Sequence, residues 1–318
     1  MTPEGRLVAR LGDPHVETFL RSAAKPFQCL PLLLAGAEAR FALSPADLAL
    51  ICASHGGAPE HTERAASLLS RGGFGEPDLL CGPHWPMDPA AARALRAAGE
   101  PPTQLHNNCS GKHAGMLLAC LLLDLSTLDY VEAAHPWQQR VLRQLADLCA
   151  VPPEAIGVAV DGCSVPAYRM PLSAAARAYA ALAHPAGAGR AGEEGAALDR
   201  IVGAMTGEPR MVAGQGRFTT RLMEVTGGRV LGKEGAEGFY ALAVRGPVAL
   251  GIALKVADGD AEGRCRDGVV LDLLRQLGSL SAAEFAELEE YHRPPLYNRR
   301  NLRVGEVVPD LELEEVEG

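Results

Sequence analysis

The sequence predicts a mixed α/β protein in which a sheet packs against helices and one portion of the chain is more helical. Two patterns lead to this prediction. Apolar residues recur with helical spacing in seven segments, and five shorter runs are typical of strands. A third observation breaks any simple alternation of strand and helix, because the last two strand-like runs flank Arg245-Gly246-Pro247 and therefore indicate an antiparallel hairpin.

The predicted elements follow one another along the whole chain. The predicted strands are residues 6–11, 48–53, 157–160, 239–244 and 248–256. The predicted helices are residues 62–70, 90–98, 113–123, 137–149, 196–206, 264–277 and 282–291. Since no repeat or long low-complexity stretch interrupts them, we predict one domain over residues 1–318, with room for two subdomains. The Pro- and Gly-rich residues 184–194 are the best candidate for a flexible connection.

Composition and charge argue against several classes of partner. The 318 residues include 30 basic and 39 acidic ones, which gives a net charge of −9, and no basic stripe is present. Such a chain is a poor candidate for binding nucleic acid. No apolar run approaches the roughly 18 residues that a membrane span needs, and the first residues do not follow the signal-peptide pattern. We therefore predict a cytoplasmic protein that binds neither nucleic acid nor membranes.

Cysteine and lysine usage points to where chemistry takes place. The eight cysteines lie far apart without a CxxC pair, so we do not expect a disulfide framework. Of the 30 basic residues only four are lysine: Lys25, Lys112, Lys233 and Lys255. Arginine serves every other basic position, which suggests that the lysines stand where an amine that can lose its proton, or a compact charge, is needed.

The first lysine belongs to a Ser-x-x-Lys segment formed by Ser22 and Lys25. On a helix the two side chains would share one face. A buried lysine that loses its charge can take the serine proton, which makes the hydroxyl a nucleophile towards acyl carbon. Pro26 disfavours helical geometry at Lys25, so the helix can instead begin at Pro26 with the pair on the preceding turn. A turn serine beside a surface lysine explains the same residues.

Four further segments place polar side chains in glycine-bounded loops or at a helix start. Each has an ordinary structural explanation as a turn or a helix cap, but together they indicate a pocket. Two cysteines with a nearby nitrogen are also a donor set that suits a zinc-type metal. The residues are Ser54 and His55 before Gly56-Gly57, Asn108, Cys109 and Lys112 at a helix start, Asp161 and Cys163 after a predicted strand, and Lys233 between glycines.

In order, the segments RSAAKPFQ, ASHGG, HNNCSGKHAGML, DGCSVPAY and GKEGAEG resemble the bacterial asparaginase II family, typified by the inducible rhizobial enzymes. The resemblance runs from about Gly12 to Asp260. It implies a fold similar to that of the serine β-lactamases and glutaminases, hydrolysis of L-asparagine to L-aspartate and ammonia, and a homodimer. Family members usually carry a further N-terminal segment with an early strand, which we expect to be missing here.

Carried onto matching positions, the resemblance also implies roles for individual residues. It implies Ser22 as the nucleophile with Lys25 as its base, and a second pairing of Ser54 with Lys233. It further implies a zinc-type site completed by water, whether or not catalysis requires the metal. The implied ligands are Cys109, Lys112 and Cys163, and the candidates for holding the charged ends of the substrate are Arg21, His55, Asn108 and Asp161.

Three alternatives stay open on the sequence. A glutaminase or another amidase of the same fold would use the same Ser-x-x-Lys chemistry. A ligand-binding homologue could have lost activity through the short N-terminus. A structural metalloprotein could use Cys109 and Cys163 alone, although retention of both Ser–Lys pairs argues against the last two.

Overall fold

Helices account for most of the regular structure, as the apolar periodicity predicted. The structure is a computed structural model, and it describes residues 1–261 and 263–316. The helices in this part of the chain are α1 Lys25–Leu34, α2 Ala37–Phe41, α3 Pro45–Ile51, α4 Pro59–Arg71, α5 Pro89–Ala98, α6 Ser110–Leu122, α7 Pro136–Cys149, α8 Leu172–Ala183, α9 Gly192–Gly207, α10 Pro209–Val212, α11 Phe218–Val225, α12 Arg266–Gln276, α13 Ala282–Glu287 and α14 Glu289–His292.

The strands form several small antiparallel sheets. They are β1 Ala9–Arg10, β2 Glu17–Phe19, β3 Gly157–Val160, β4 Pro166–Pro171, β5 Val230–Glu234, β6 Phe239–Val244, β7 Leu250–Lys255, β8 Pro295–Tyr297, β9 Arg303–Glu306 and β10 Glu314–Glu315. The sheet orders are β2-β4-β3 and β5-β6-β7, with two-stranded pairs β1-β10 and β8-β9. The predicted mixed α/β class, with a sheet covered by helices and a more helical portion, is confirmed.

The β5-β6-β7 sheet separates two apolar cores. Alternate residues of β6 point to opposite faces, so Phe239 and Ala241 belong to the core shared with α1 and α8, while Tyr240 and Leu242 belong to the core shared with α11 and α12. Val244 opposes Leu250 across the turn, which confirms the predicted antiparallel hairpin. Both faces of this sheet are buried, so it forms a rigid wall beside the helical half of the molecule.

The predicted strand at residues 48–53 is wrong, because this segment forms helix α3. Ser44 caps the helix: its side chain accepts from the Asp47 N–H and the Asp47 carboxylate accepts from the Ser44 N–H. Pro45 occupies the first turn, where a missing N–H costs nothing. From Asp47 to Ile51, helix α3 is buried on every side, so its apolar residues run continuously and mimic the pattern of a buried strand.

The predicted strand at residues 6–11 shortens to β1, which pairs only with the two residues of β10. At the Ser-x-x-Lys segment, a 3₁₀ turn spans Arg21–Ala24 and α1 begins at Lys25, with Pro26 in its first turn. Ser22 therefore lies on the turn that leads into the helix, which is close to the second geometry that Pro26 suggested. In the part of the chain that is described, no helix is both long and apolar enough to cross a membrane.

Candidate active site

The hydroxyl of Ser54 lies between two lysine amines. Lys25 Nζ donates to Ser54 Oγ at 3.0 Å, and Lys233 Nζ donates to the same oxygen at 2.8 Å. Each amine also donates to a backbone carbonyl, Lys25 to Ala53 at 2.5 Å and Lys233 to Glu234 at 2.9 Å. All three side chains of this Lys25–Ser54–Lys233 group are buried. The structure thus brings together residues that are up to 208 positions apart in the sequence.

Three separate elements hold this group. Lys25 is the first residue of α1, and Ser54 lies in the loop that follows α3, where its N–H donates to the Val212 carbonyl. Lys233 lies on β5 opposite Ala241, so its side chain points to the same face as the core that contains α1. The period of two along the strand therefore directs the amine towards Lys25.

The surroundings of Lys233 favour its neutral form. Burial and the positive charge of Lys25 lower the pKa of Lys233 to about 7, although the neighbouring Glu234 opposes the shift. Two lysine amines on one hydroxyl cannot both carry charge cheaply in a buried site. One amine of the pair is thus available to accept a proton near neutral pH.

Ser22 lies one turn before Lys25, whose backbone N–H donates to the Ser22 carbonyl. It is half-buried, and within the described residues its hydroxyl has no hydrogen-bond partner. The preceding residue, Arg21, adopts a left-handed backbone with φ of 50°, a conformation that costs a non-glycine residue about 1 kcal/mol or more. Its guanidinium bonds Asp161 at 2.9 Å and Glu237 at 2.6 Å. These ion pairs hold the strained turn that presents Ser22.

The predicted metal ligands also come together. Lys112 Nζ donates to Cys163 Sγ at 3.0 Å, and the thiol of Cys163 lies near enough to that of Cys109 to shift its pKa. Close packing of α6 on α3 brings Lys112 to this position: a Cβ on Gly111 would lie 2.5 Å from the Leu50 carbonyl oxygen. Gly111 is therefore needed for helix packing, because a side chain there would collide with α3.

Charge in this second group differs from that around Lys233. The hydrogen bond from Cys163 and the nearby lysines hold the pKa of Cys109 well below its usual range, despite burial. Burial disfavours a charged Lys112, but the facing Cys163 and Cys109 outweigh it and raise the pKa of Lys112. The same hydrogen bond, with burial, raises the pKa of Cys163. The group therefore behaves as an ammonium beside a thiolate.

The donor set fits a borderline-soft metal ion. Two sulfurs and one amine nitrogen converge in a buried position, and thiolate with nitrogen is the combination that zinc prefers. Among the described residues, no three His, Cys, Asp or Glu side chains cluster as a metal site. A metal here would therefore need the Lys112 amine as its third protein ligand.

The other predicted binding residues occupy different positions. Asp161 lies beside Arg21, and Asn108 lies next to Cys109, with its side-chain oxygen 3.1 Å from the sulfur. His55 is fully buried: its Nδ1 accepts from Gly57 N–H, so Nε2 donates to Ser110 Oγ at 2.9 Å. Both ring nitrogens are used inside the protein. His55 thus connects the Ser54 loop to the start of α6.

Sequence reasoning missed two carboxylates at the site. Glu237 bonds Arg21 and has a left-handed backbone with φ of 60°, an unusual conformation in the segment between Gly235 and Gly238. Glu234 is buried next to Lys233 and accepts from Arg217 at 2.7 and 2.9 Å. The glycine-rich spacing of GKEGAEG was the signal for both, but only its lysine was singled out.

Comparison with known families gives one match. The model of the L-asparaginase II family matches residues 1–309, which is nearly the whole chain. No curated protein matches it.

Proposed function

The chain belongs to the L-asparaginase II family and hydrolyses the amide bond of L-asparagine, and we propose that it does so through an acyl-serine at Ser22 with Lys25, Ser54 and Lys233 as a proton relay. One observation carries this proposal: two buried lysine amines donate to the single hydroxyl of Ser54. A serine oxygen accepts two hydrogen bonds and donates one. With both accepting positions occupied by the lysines, the proton of Ser54 is directed away from them and can be passed on.

In the first half of the reaction, the charged Lys25 gives a proton to Ser54 while the Ser54 proton passes to the neutral amine of Lys233. The Lys25 amine then accepts the proton of Ser22, and the Ser22 oxygen forms a bond to the side-chain amide carbon. The carbon–nitrogen bond then breaks. The leaving nitrogen takes the proton of Ser54, and a lysine ammonium returns a proton to Ser54, so ammonia departs and the relay recovers its charge. Ser22 suits the attacking role because it is half-buried and reachable, whereas Ser54 is buried.

In the second half, water attacks the Ser22 ester. A neutral lysine amine accepts the proton of the water, the carbon–oxygen bond to Ser22 breaks, and the serine oxygen regains a proton through the relay. L-Aspartate is the second product. The neutral amine that both halves need is consistent with the lowered pKa of Lys233.

The charged ends of the substrate are assigned to the Arg21 cluster. Arg21 is a cation shared by two carboxylates, and it can bind the α-carboxylate, while Asp161 and the exposed Glu237 can bind the α-ammonium group. Asn108 can contact the substrate from the side of Cys109. His55 is assigned a positioning role, because its ring is fully buried and both nitrogens are used.

Zinc is the metal proposed for Cys109, Lys112 and Cys163. When bound, such an ion would act as a Lewis acid or structural charge near the substrate. The ligands compete with protons for the metal, so the metal content should rise with pH. Metal analysis of the purified protein at pH 6 and pH 8, before and after dialysis against a chelator, tests this without reference to activity.

Three finer assignments accompany the proposal. Asparagine is preferred over glutamine as substrate, the protein resides in the cytoplasm, and it forms a homodimer. Ammonia release from both amides, measured on the same preparation, tests the first. Equal or greater turnover of glutamine would replace the assignment with a glutaminase.

A second candidate mechanism has the same reaction, with the roles of Ser22 and Ser54 exchanged. Of the two candidate serines, only Ser54 has a hydrogen bond to a lysine amine within the described residues, and this contact favours Ser54 as the nucleophile. A diazoketone analogue of asparagine separates the two, since it alkylates the attacking oxygen and the modified residue can be mapped by mass spectrometry. We expect the label on Ser22, in wild type and in Ser54→Ala. A label on Ser54, together with near-normal ammonia release by Ser22→Ala, would reverse the roles.

A further inference from the structure

Among the described residues, the β8-β9 hairpin pairs with no other strand. Residues 295–306, here called the arm, form a two-stranded sheet, and every residue from Tyr297 to Glu306 is exposed. The Val307 N–H donates to the Pro294 carbonyl and closes the base of the arm. A lone two-stranded hairpin is only marginally stable in water and usually needs a surface to pack on.

The arm carries large apolar side chains as well as charge. Tyr297, Leu302 and Val304 are 60%, 51% and 63% exposed, an unusual density for so short a segment. Residues 297–306 include three arginines and one glutamate, so the arm has a net charge of +2 on a chain whose net charge is −9. Arg303 pairs with Glu306 at 2.6 Å, while Arg299 and Arg300 have no ion-pair partner among the described residues.

The turn of the arm is ordered before any partner binds. The side-chain oxygen of Asn298 accepts from the N–H groups of Arg300 and Leu302 at 2.9 and 3.1 Å. Asn301 supplies the left-handed position with φ of 57°. A preformed turn lowers the entropy cost of docking.

A complementary surface lies between α6 and α7. Residues 121–134, here called the acidic patch, expose Leu128 at 87% and Leu121 at 43%. The same segment contains three exposed carboxylates, Asp124, Asp129 and Glu132, and no basic residue. Apolar side chains surrounded by carboxylates match an arm that combines apolar side chains with arginines.

We infer that the arm of one copy of this chain docks on the acidic patch of a second copy, and the reverse, in a two-fold dimer. Such an interface is isologous, so each copy contributes both surfaces. The ten residues 297–306 of the arm and eight residues of the acidic patch are exposed, a number close to the roughly 20–30 residues per side of a standard interface. The inference rests on the proposed homodimer and adds its interface.

Charge reversal tests this pairing. Arg299→Glu with Arg300→Glu should raise the dimer dissociation constant by about tenfold or more, measured by sedimentation equilibrium, because like charges then face each other. Asp129→Arg with Glu132→Arg should have the same effect. Combining all four substitutions should bring the constant back to within about threefold of wild type, as expected for restored charge pairs.

The matched control reverses two exposed arginines elsewhere, Arg6→Glu with Arg93→Glu, which changes the net charge equally and should leave the dimer intact. Ammonia release from asparagine confirms that each variant is folded. A wild-type monomer at all concentrations would overturn the proposed homodimer itself. A wild-type dimer that resists the arm substitutions, or one that the fourfold variant fails to restore, would overturn the arm–patch interface and leave the dimer standing.

Discussion

Two buried lysines of the candidate active site show opposite electrostatics. Lys233 and Lys112 are both almost inaccessible to solvent, and each donates to a polar side chain of another element. Burial and a second lysine lower the pKa of Lys233 to about 7, whereas facing thiols overcome burial and raise the pKa of Lys112. The partner that each amine meets, rather than its burial, therefore determines whether the amine carries charge.

Because of this difference, Lys233 and Lys112 are expected to have different roles in the site. An amine that is neutral near pH 7 can act as a base, while an amine that is held charged beside a thiolate cannot do so until a metal displaces its proton. Substitutions that alter one of the two lysine environments at a time can separate these roles, and the largest effect is expected at Lys233.

Replacement of Lys233 by Met removes one amine from the relay. We expect the rate of asparagine hydrolysis to fall by about 10³-fold, the midpoint of what a general base usually contributes. Lys233→Arg keeps a cation that cannot lose its proton and should be equally impaired. Substantial activity in Lys233→Arg would show that no neutral amine is needed at this position.

The same Met variant has a stability consequence whose sign follows from the lowered pKa. Between about pH 7 and pH 10.5 the unfolded state binds more protons at Lys233 than the folded state does, so this residue's contribution to the free energy of unfolding rises with pH across that window. Below pH 7 the buried charge destabilises the fold. Lys233→Met should thus melt at a higher temperature than wild type at pH 6, and the gain should shrink towards pH 10.

Replacement of Lys112 by Met tests the thiol side of the comparison. We expect bound zinc to be lost and the rate to fall by roughly 10–100-fold, a smaller effect than that of the Lys233 variants. Metal content per chain, measured by atomic emission, is the direct readout. Full zinc content in Lys112→Met would show that the two cysteines hold the metal without the amine.

The pH dependence of the wild-type enzyme reports on Lys233. Since its neutral amine is the final acceptor of the proton that the relay removes from Ser22, the rate should rise with pH through an apparent pKa of about 7, and be about tenfold lower at pH 6 than at pH 8. Initial rates at saturating asparagine measure this. A profile that stays flat between these values would separate catalysis from the ionisation of Lys233.

Arg217 should adjust that profile by a smaller amount. The positive charge of Arg217 lowers the pKa of Lys233. Arg217 also forms an ion pair with Glu234, the carboxylate whose negative charge raises the pKa of Lys233. Arg217→Met should therefore move the rising limb towards higher pH, by about half a unit to one unit. Arg221→Met removes a half-buried arginine of α11 that pairs with Glu224, and it serves as the control, with an unchanged profile expected.

The sequence predicted the composition of the site better than its contacts. Scarcity of lysine identified Lys25, Lys112 and Lys233, and all three are buried within the two groups described above. Spacing linked Lys25 to Ser22, one turn away. It contained no information that Lys25 would reach Ser54, because that contact depends on how α1 and the loop after α3 meet in space.

The fold shows the same division between local and distant information. Amphipathic helices such as α4 and α7 were predicted within a few residues, because each has one solvent face that makes the periodicity visible. Helix α3 was mistaken for a strand because its residues from Asp47 to Ile51 are all buried. The capping pair Ser44 and Asp47, with Pro45 between them, was the available signal for a helix.

The distribution of lysine also gives the protein an unusual chemical response. Reagents that acylate amines can reach one half-buried lysine side chain, Lys255, in the folded protein, since the other three are nearly inaccessible. Unfolding exposes all four. The number of labelled lysines counted by mass spectrometry would therefore change from at most one to four on unfolding. Acylation of Lys25, Lys112 and Lys233 thus measures, residue by residue, how often the structure around these buried lysines opens.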